Sequence, residues 1–331
     1  MTTGTGRPTV HLIASLGGHL ELLDTVAPAL DGFDRVWITS EGSRAESLRT
    51  RGEAVRTLPR LDRSSATAGA LLAGVRLAAA ERPRLVLTSG AGLALPFTLA
   101  SRALGARVMW LETMARVTSG SLTGRIVSRV ADQVIVQWPE LRRQYPRALV
   151  CRPTLLEGVE RLGGASGEGT FVTVGSHDAA FDRLLRAVEA AAEAGVLPQP
   201  VTVQTGCGAA ASGAIRAVDY MSPEDFGAAV RGARVVVCHG GAGAIATVLR
   251  AGKRPLVMPR RQRLGEHVDD HQLDLVAKLS DLGLAVTVDG PIAPGDVQLS
   301  VEPQEVSPRL ASAPSVRSTL AAVVAASQTS Y

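Results

Sequence analysis

The chain has 331 residues, enough for two domains with separate cores, and its 46% hydrophobic content holds no eighteen-residue apolar run, which argues against a membrane-spanning helix. Cys151, Cys207 and Cys238 are scattered without a C-x-x-C pair, so the cysteines indicate neither a disulfide framework nor a structural zinc site; with no apolar signal core near the start, a cytoplasmic location is expected. Residues 1–160 hold 20 Arg against 14 Asp/Glu, net +6, while residues 161–331 hold 15 Lys/Arg against 17 Asp/Glu, net −2; with 3% aromatics and no Lys/Arg tract this disfavours nucleic acid and suits an anionic acceptor or a peripheral contact with the inner membrane face.

Continuous apolar runs predict strands over 10–14, 35–39, 54–58, 85–88, 107–111 and 133–137, alternating with helical patterns over 20–30, 43–51, 66–80, 94–104 and 122–130. Short strands that are apolar throughout belong to a parallel sheet covered on both faces. The glycine-rich stretch 161–169 reads as a linker, after which the rhythm restarts. Strands are predicted over 170–174, 201–204, 217–219, 235–238, 255–258 and 285–288, with helices over 181–194, 223–231, 244–251 and 267–279 and a last helix over 312–327. Ser222-Pro223-Glu224-Asp225 supplies a cap, a first-turn proline and acids at the positive helix end. The expected architecture is α/β: two Rossmann-like, doubly wound domains facing a cleft, residues 1–160 and 170–310, followed by a tail over 311–331.

Two strand–helix junctions carry glycines. The first is Ser15-Leu16-Gly17-Gly18-His19 and the second His239-Gly240-Gly241-Ala242-Gly243. Glycines let a ligand approach the backbone, and a helix N-terminus offers unpaired N–H groups to a diphosphate. Neither loop is a Walker A, and neither completes a nicotinamide fingerprint.

Further words give these loops a family context. Thr88-Ser89-Gly90, Glu112-Thr113-x-x-Arg116-Val117, Ser121-Leu122-Thr123-Gly124-Arg125 and Val136-Gln137-Trp138-Pro139-Glu140 accompany the first loop. With them, the N-terminal half resembles the acceptor-side subunit of the two-subunit N-acetylglucosaminyltransferase of dolichol assembly and its bacterial counterpart, PssD. The C-terminal half carries Phe171-Val172-Thr173-Val174-Gly175, Phe181-Asp182-x-Leu184, Gln204-Thr205-Gly206 and Gly265-Glu266-His267-x-Asp269-Asp270-His271-Gln272. It resembles the donor-binding subunit, PssE, and the whole is similar, more distantly, to MurG. The resemblance implies a fusion of both halves in a GT-B fold and inverting, metal-independent transfer from a UDP-sugar, with no cofactor beyond that co-substrate.

Inverting transfer needs a base for the acceptor hydroxyl and a stabiliser for departing diphosphate. His19 is the candidate base, at a loop where Gly17 and Gly18 would meet the acceptor. Glu112 is the alternative base, or with Arg116 it orients the acceptor; Arg116 and Arg125 suit an acceptor phosphate. Gly240, Gly241, Ala242 and Gly243 would hold the donor diphosphate, and His239 the diphosphate or the sugar. By resemblance Gly175, Ser176, Gln204, Thr205 and Gly206 line the nucleotide site, while Glu266, Asp270, His271 and Gln272 belong to the donor-sugar motif. Thr247 stands where many relatives place a ribose-binding Glu. His267 and His271, four apart on the predicted helix, have a zinc-compatible spacing, yet no D-x-D occurs and no metal is expected.

The acceptor is expected to be lipid-linked. An apolar, Arg-rimmed patch within 66–80 or 93–104 would favour lipid, whereas a closed polar pocket would favour a soluble natural-product or nucleoside acceptor. A UDP-sugar epimerase of GT-B shape and a catalytically dead binding module are the readings from other classes, and a homodimer is compatible with the sequence.

Overall fold

The computed structural model describes residues 7–59, 68–90, 92–164, 166–175, 180–205, 215–219, 221–267 and 269–328. The chain forms two compact units, Met1–Thr154 with Pro314–Tyr331, and Leu155–Ala313.

The first unit is built on strands β1 (Thr9–Ala14), β2 (Asp34–Thr39), β3 (Ala54–Thr57), β4 (Leu85–Gly90), β5 (Arg107–Leu111), β6 (Gln133–Val136) and β7 (Leu149–Val150). They pair in the order β3-β2-β1-β4-β5-β6-β7, all parallel, with Leu12 opposite Trp37 on one side and Leu87 on the other. Helices α1 (Gly18–Val26), α2 (Ser43–Thr50), α3 (Ala68–Glu81), α4 (Ala94–Ala103) and α5 (Leu122–Val127) belong to this unit. Period-two alternation sends Val10, Leu12 and Ala14 into one core with Leu20, Leu23 and Val26 of α1. Ile13, Ile38, Val86, Val108 and Trp110 enter the other core, against Phe97 of α4.

The second unit contains β8 (Arg161–Leu162), β9 (Thr170–Thr173), β10 (Val201–Gln204), β11 (Ile215–Val218), β12 (Val235–His239), β13 (Leu256–Met258), β14 (Val286–Thr287) and β15 (Gln304–Glu305). The main parallel sheet has the order β11-β10-β9-β12-β13-β14, and β8 pairs antiparallel with β15. Its helices are α6 (Asp182–Glu193), α7 (Pro223–Gly232), α8 (Ala242–Arg250), α9 (His271–Asp281), α10 (Pro294–Val301) and α11 (Pro308–Ser312). Val172, Val203 and Val237 face one core, Phe171 and Val236 the other, so this sheet too is covered on both faces. Ser222 caps α7 by accepting from Asp225 N–H, as its sequence predicts.

Three expectations shift. The stretch 161–169 is not a free linker: Gly163 N–H donates to Gly252 O at 2.9 Å, Gly164 N–H to Val301 O at 2.8 Å and Glu168 N–H to Gly232 O at 2.9 Å. Its glycines serve close backbone approach within the second unit, and the division between units falls at Thr154 and Leu155. The tail helix, α12 (Val316–Gln328), returns to the first unit, burying Val316, Leu320 and Val324 one helical turn apart in the α1-side core. Finally, α9 starts at His271 rather than 267, so His267 and His271 do not share a helix face.

Candidate active site

In each sheet the strand order reverses at one place, between β1 and β4 in the first unit and between β9 and β12 in the second. Loops leaving adjacent strands there go to opposite faces, opening a crevice at the carboxyl ends where α/β proteins bind ligands. Both glycine loops lie at these points.

In the first unit Gly17, at φ 90°, precedes α1, and Gly17 and Gly18 are exposed. His19 is the second residue of α1, half-buried, with Nδ1 2.9 Å from Ser89 O at the end of β4. Ser89 Oγ donates back to His19 O at 2.9 Å, so the β1 and β4 loops are latched in both directions. A carbonyl only accepts, so Nδ1 carries the ring proton and Nε2 the basic lone pair.

Glu112 follows β5 but does not reach the rim expected of it. It is fully buried. Oε1 accepts from Thr113 N–H at 3.2 Å, and Oε2 from Tyr145 OH at 2.9 Å and Ser121 N–H at 3.2 Å. Burial pushes its carboxyl above the usual carboxylate range, against the pull of Tyr145, the two N–H donors and the Arg116 charge. A Cβ on Gly124 would fall 2.6 Å from Oε2, so glycine is what lets α5 close over this carboxylate. Gln137 Nε2 donates to Glu112 O at 3.0 Å and Trp138 Nε1 to Met114 O at 2.7 Å. The family words of this half therefore converge on Glu112 as a hub that fixes the segment bearing half-buried Arg116 and exposed Arg125. A hub enclosed in this way is poorly suited to collect an acceptor proton.

In the second unit Gly241 is the N-cap of α8, with no side-chain cap, so the N–H groups of the first turn at Ala242 and Gly243 are available to an anion. The His239 ring is bracketed by glycines: a Cβ on Gly175, at φ 85°, would sit 2.5 Å from Nε2, and one on Gly241 2.1 Å from it. Gln204 Oε1 accepts from Thr173 Oγ1 at 3.0 Å, and Thr205 keeps a buried hydroxyl that no described residue satisfies. Thr247 Oγ1 donates to Gly243 O at 3.1 Å, back-bonding to its own helix instead of projecting a carboxylate. Ser176 and Gly206 lie outside the described residues.

The motif after β13 is organised by Arg260, a fully buried side chain that its sequence did not mark. Arg260 Nη2 donates to Val174 O at 2.9 Å and Nη1 to Glu266 O at 3.1 Å, and the guanidinium lies 4.6 Å from the Phe181 ring centroid. Its backbone N–H donates to Gln272 Oε1 at 3.0 Å, holding Gln272 beneath Gly240, where a Cβ would meet it at 2.9 Å. Glu266 takes a two-pronged pair from Arg183, Nε at 3.0 Å and Nη2 at 2.9 Å. Burial alone would raise the Glu266 carboxyl, but Arg183 and the Arg261 N–H outweigh it and hold it below the usual range. Asp270 Oδ1 accepts from Gln262 N–H at 2.8 Å. Glu266 and Asp270 thus shape the loop, whereas His271 and Gln272 stand at or inside the start of α9.

Comparison with known proteins agrees with this division. Residues 60–152 match the family described as oligosaccharide biosynthesis protein Alg14 like, and residues 170–289 match the glycosyltransferase family 28 C-terminal domain. The UDP-N-acetylglucosamine transferase subunit ALG14 of Eremothecium gossypii is 32% identical over 181 residues, 44% of this chain and 81% of the relative. That of Mus musculus is 34% identical over 74 residues, 20% of this chain, and the match spans about a third (34%) of that relative's length. Among solved structures, MurG of Acinetobacter baumannii superposes with a TM-score of 0.66 at 19% identity, covering 96% of this chain and 99% of that one. The likeness to MurG concerns the fold, two Rossmann-like α/β domains of the GT-B kind.

Proposed function

This chain belongs to the Alg14-like family of oligosaccharide biosynthesis proteins, and on that premise we propose that it transfers a sugar, N-acetylglucosamine or another hexose, from a UDP-sugar to a polyprenyl-diphosphate-linked acceptor. The observation that carries the reading is that each half places its family glycine loop, after β1 and after β12, at the switch point of its own sheet. In the donor half, the α8 N-terminus meets the UDP diphosphate and His239 lies beside it. In the acceptor half, His19 Nε2 takes the proton of the attacking hydroxyl. The acceptor oxygen bonds to the anomeric carbon from the face opposite UDP as the carbon–phosphate-oxygen bond breaks, so configuration inverts. The negative charge that leaves with UDP is stabilised by backbone N–H groups and helix dipole, a task that requires no metal.

Thermal unfolding of the full chain with UDP, UDP-N-acetylglucosamine, UDP-glucose and GDP-mannose, with and without chelator, tests the donor half. UDP and one UDP-sugar should raise the transition whether or not chelator is present. Gly175→Ala, which strains a left-handed glycine and drives a methyl into the His239 ring, should weaken that response at least about tenfold in ligand concentration. A wild-type protein indifferent to every uridine nucleotide would remove the donor assignment.

The lipid reading of the acceptor is supported by α3. This helix buries its small residues, Ala70, Gly74 and Ala78, because a Cβ on Gly74 would sit 2.9 Å from Pro96 Cγ of α4. It consequently exposes its large apolar ones: Leu71 is 45%, Leu72 46% and Val75 43% accessible, with Arg76 exposed among them. No described helix is long and apolar enough to cross a membrane, so contact of this kind would be peripheral. Leu71→Asp with Leu72→Asp should lower partition onto anionic vesicles by at least about tenfold, each leucine being worth roughly 1.5–3 kcal/mol when buried. Wild-type protein that ignores vesicles, yet turns over a short soluble acceptor, would favour the soluble natural-product reading instead.

A further inference from the structure

The loop between β13 and α9 gathers metal-binding side chains in a way that neither helix spacing nor the transfer chemistry accounts for. His267, Asp269 and His271 each bring a ligand atom to within 4.8 Å of the others. His267 Nδ1 lies 3.4 Å from Asp269 Oδ1, His271 Nδ1 contacts that same oxygen, and the two rings stand edge to face with centroids 4.8 Å apart. A separation of 3.4 Å is long for an N–H···O hydrogen bond. It is close to the ligand–ligand edge of a tetrahedral zinc site, about 3.3 Å for bonds of about 2.0–2.1 Å, whereas the closer His271–Asp269 contact would have to open to that edge when an ion binds. The Asp269 N–H also points at His267 Nδ1, at 3.4 Å, as it would at a nitrogen that carries a lone pair.

The three residues are strung between fixed points. On one side Glu266 is held by Arg183, the Arg261 N–H and Arg260; on the other, Gln272 is held by the Arg260 N–H, and Asp270 by the Gln262 N–H. Ligands ordered in advance lose less entropy on binding. The positive end of α9 opposes a cation, but Asp269, Asp270 and Asp274 place three carboxylates in or just before its first turn. Two imidazoles and one carboxylate favour a borderline ion such as zinc over magnesium or calcium.

We propose that His267, Asp269 and His271 bind one zinc-class divalent ion, leaving its fourth position to water or an incoming ligand. Because His271 belongs to the donor motif, a bound ion withdraws its ring from the sugar, which makes zinc an inhibitor and not a cofactor. That last clause rests on the UDP-sugar reading of the second unit; the binding does not, and a failed donor reading would show separately as the missing uridine response.

The test is calorimetric titration of zinc chloride into the full chain after chelator treatment and dialysis, without nucleotide, and with magnesium chloride as comparison. The expected result is one zinc per chain and no saturable magnesium binding. His267→Ala and Asp269→Ala should each weaken zinc at least about tenfold. A Cys151→Ser, Cys207→Ser, Cys238→Ser triple variant should bind as the wild type does. No saturable zinc binding overturns the proposal; so does binding that survives His267→Ala with Asp269→Ala, or binding lost with the cysteines.

Discussion

Replacing His19 with alanine is expected to lower kcat for sugar transfer by about 10²–10⁴-fold, the range a positioned general base contributes. Geometry, more than residue type, supports this. Ser89 O, 2.9 Å from Nδ1, fixes the tautomer that leaves the basic lone pair on Nε2. The reciprocal bond from Ser89 Oγ to His19 O fixes the backbone that carries the ring. Loss of one side-chain hydrogen bond on a half-buried helix start costs about 1 kcal/mol of stability, too little to mimic such a fall through unfolding. Uridine nucleotide binding, which the proposed function assigns to the other unit, should be unchanged in His19→Ala. Ser89→Ala keeps the carbonyl that sets the tautomer and loses only the return bond, so its kcat should stay within about tenfold of wild type. A His19→Ala enzyme within about threefold of wild type would remove His19 from the chemistry.

The parallel sheets were legible because their strands hold short continuous apolar runs: Val108–Leu111 and Val235–Cys238 need no tertiary context to be recognised. The glycine loops were legible too, since strand, glycines and helix follow one another locally. What could not be read depends on partners distant in sequence. Glu112 after an apolar strand resembles a rim carboxylate until Tyr145, 33 residues away, is seen to donate to it. Arg260 shows no pattern at all, and its burial follows from Val174, Phe181 and Glu266 arriving from three separate segments. The glycines at 163, 164, 167 and 169 suggested slack, yet Gly163 and Gly164 donate to Gly252 and Val301 and Gly169 accepts from Arg234 N–H, bonding the β9 approach to the rest of the second unit. Likewise the apolar periodicity beyond residue 271 extended the predicted α9 backwards over the loop where Asp269 meets both histidines.

Glu112→Ala should destabilise the first unit by at least about 3 kcal/mol. The alanine leaves Tyr145 OH, Ser121 N–H and Thr113 N–H without their acceptor, and each buried donor stripped of its partner costs about 1–3 kcal/mol. For a unit of this size that corresponds to a fall in Tm of roughly 6 °C or more. All three tryptophans, Trp37, Trp110 and Trp138, are buried in the first unit, so their fluorescence follows its unfolding apart from the second. Glu112→Gln keeps the volume and one acceptor oxygen and should cost about half as much. The pH dependence has a definite sign. A carboxyl held above its unfolded pKa binds its proton more tightly in the folded state, so its contribution is complete below the unfolded pKa and declines as pH rises through the folded one. The gap between wild type and Glu112→Gln should therefore narrow from acid toward neutral pH. The glutamine variant also separates hub from base. A base loses its chemistry as completely to glutamine as to alanine, with little change in Tm. A hub that merely sets the segment bearing Arg116 and Arg125 keeps most of its kcat as glutamine, and what it loses appears chiefly in the KM for the acceptor. Full loss of kcat in Glu112→Gln, with Tm unchanged, would return Glu112 to the reaction and displace His19 as its base.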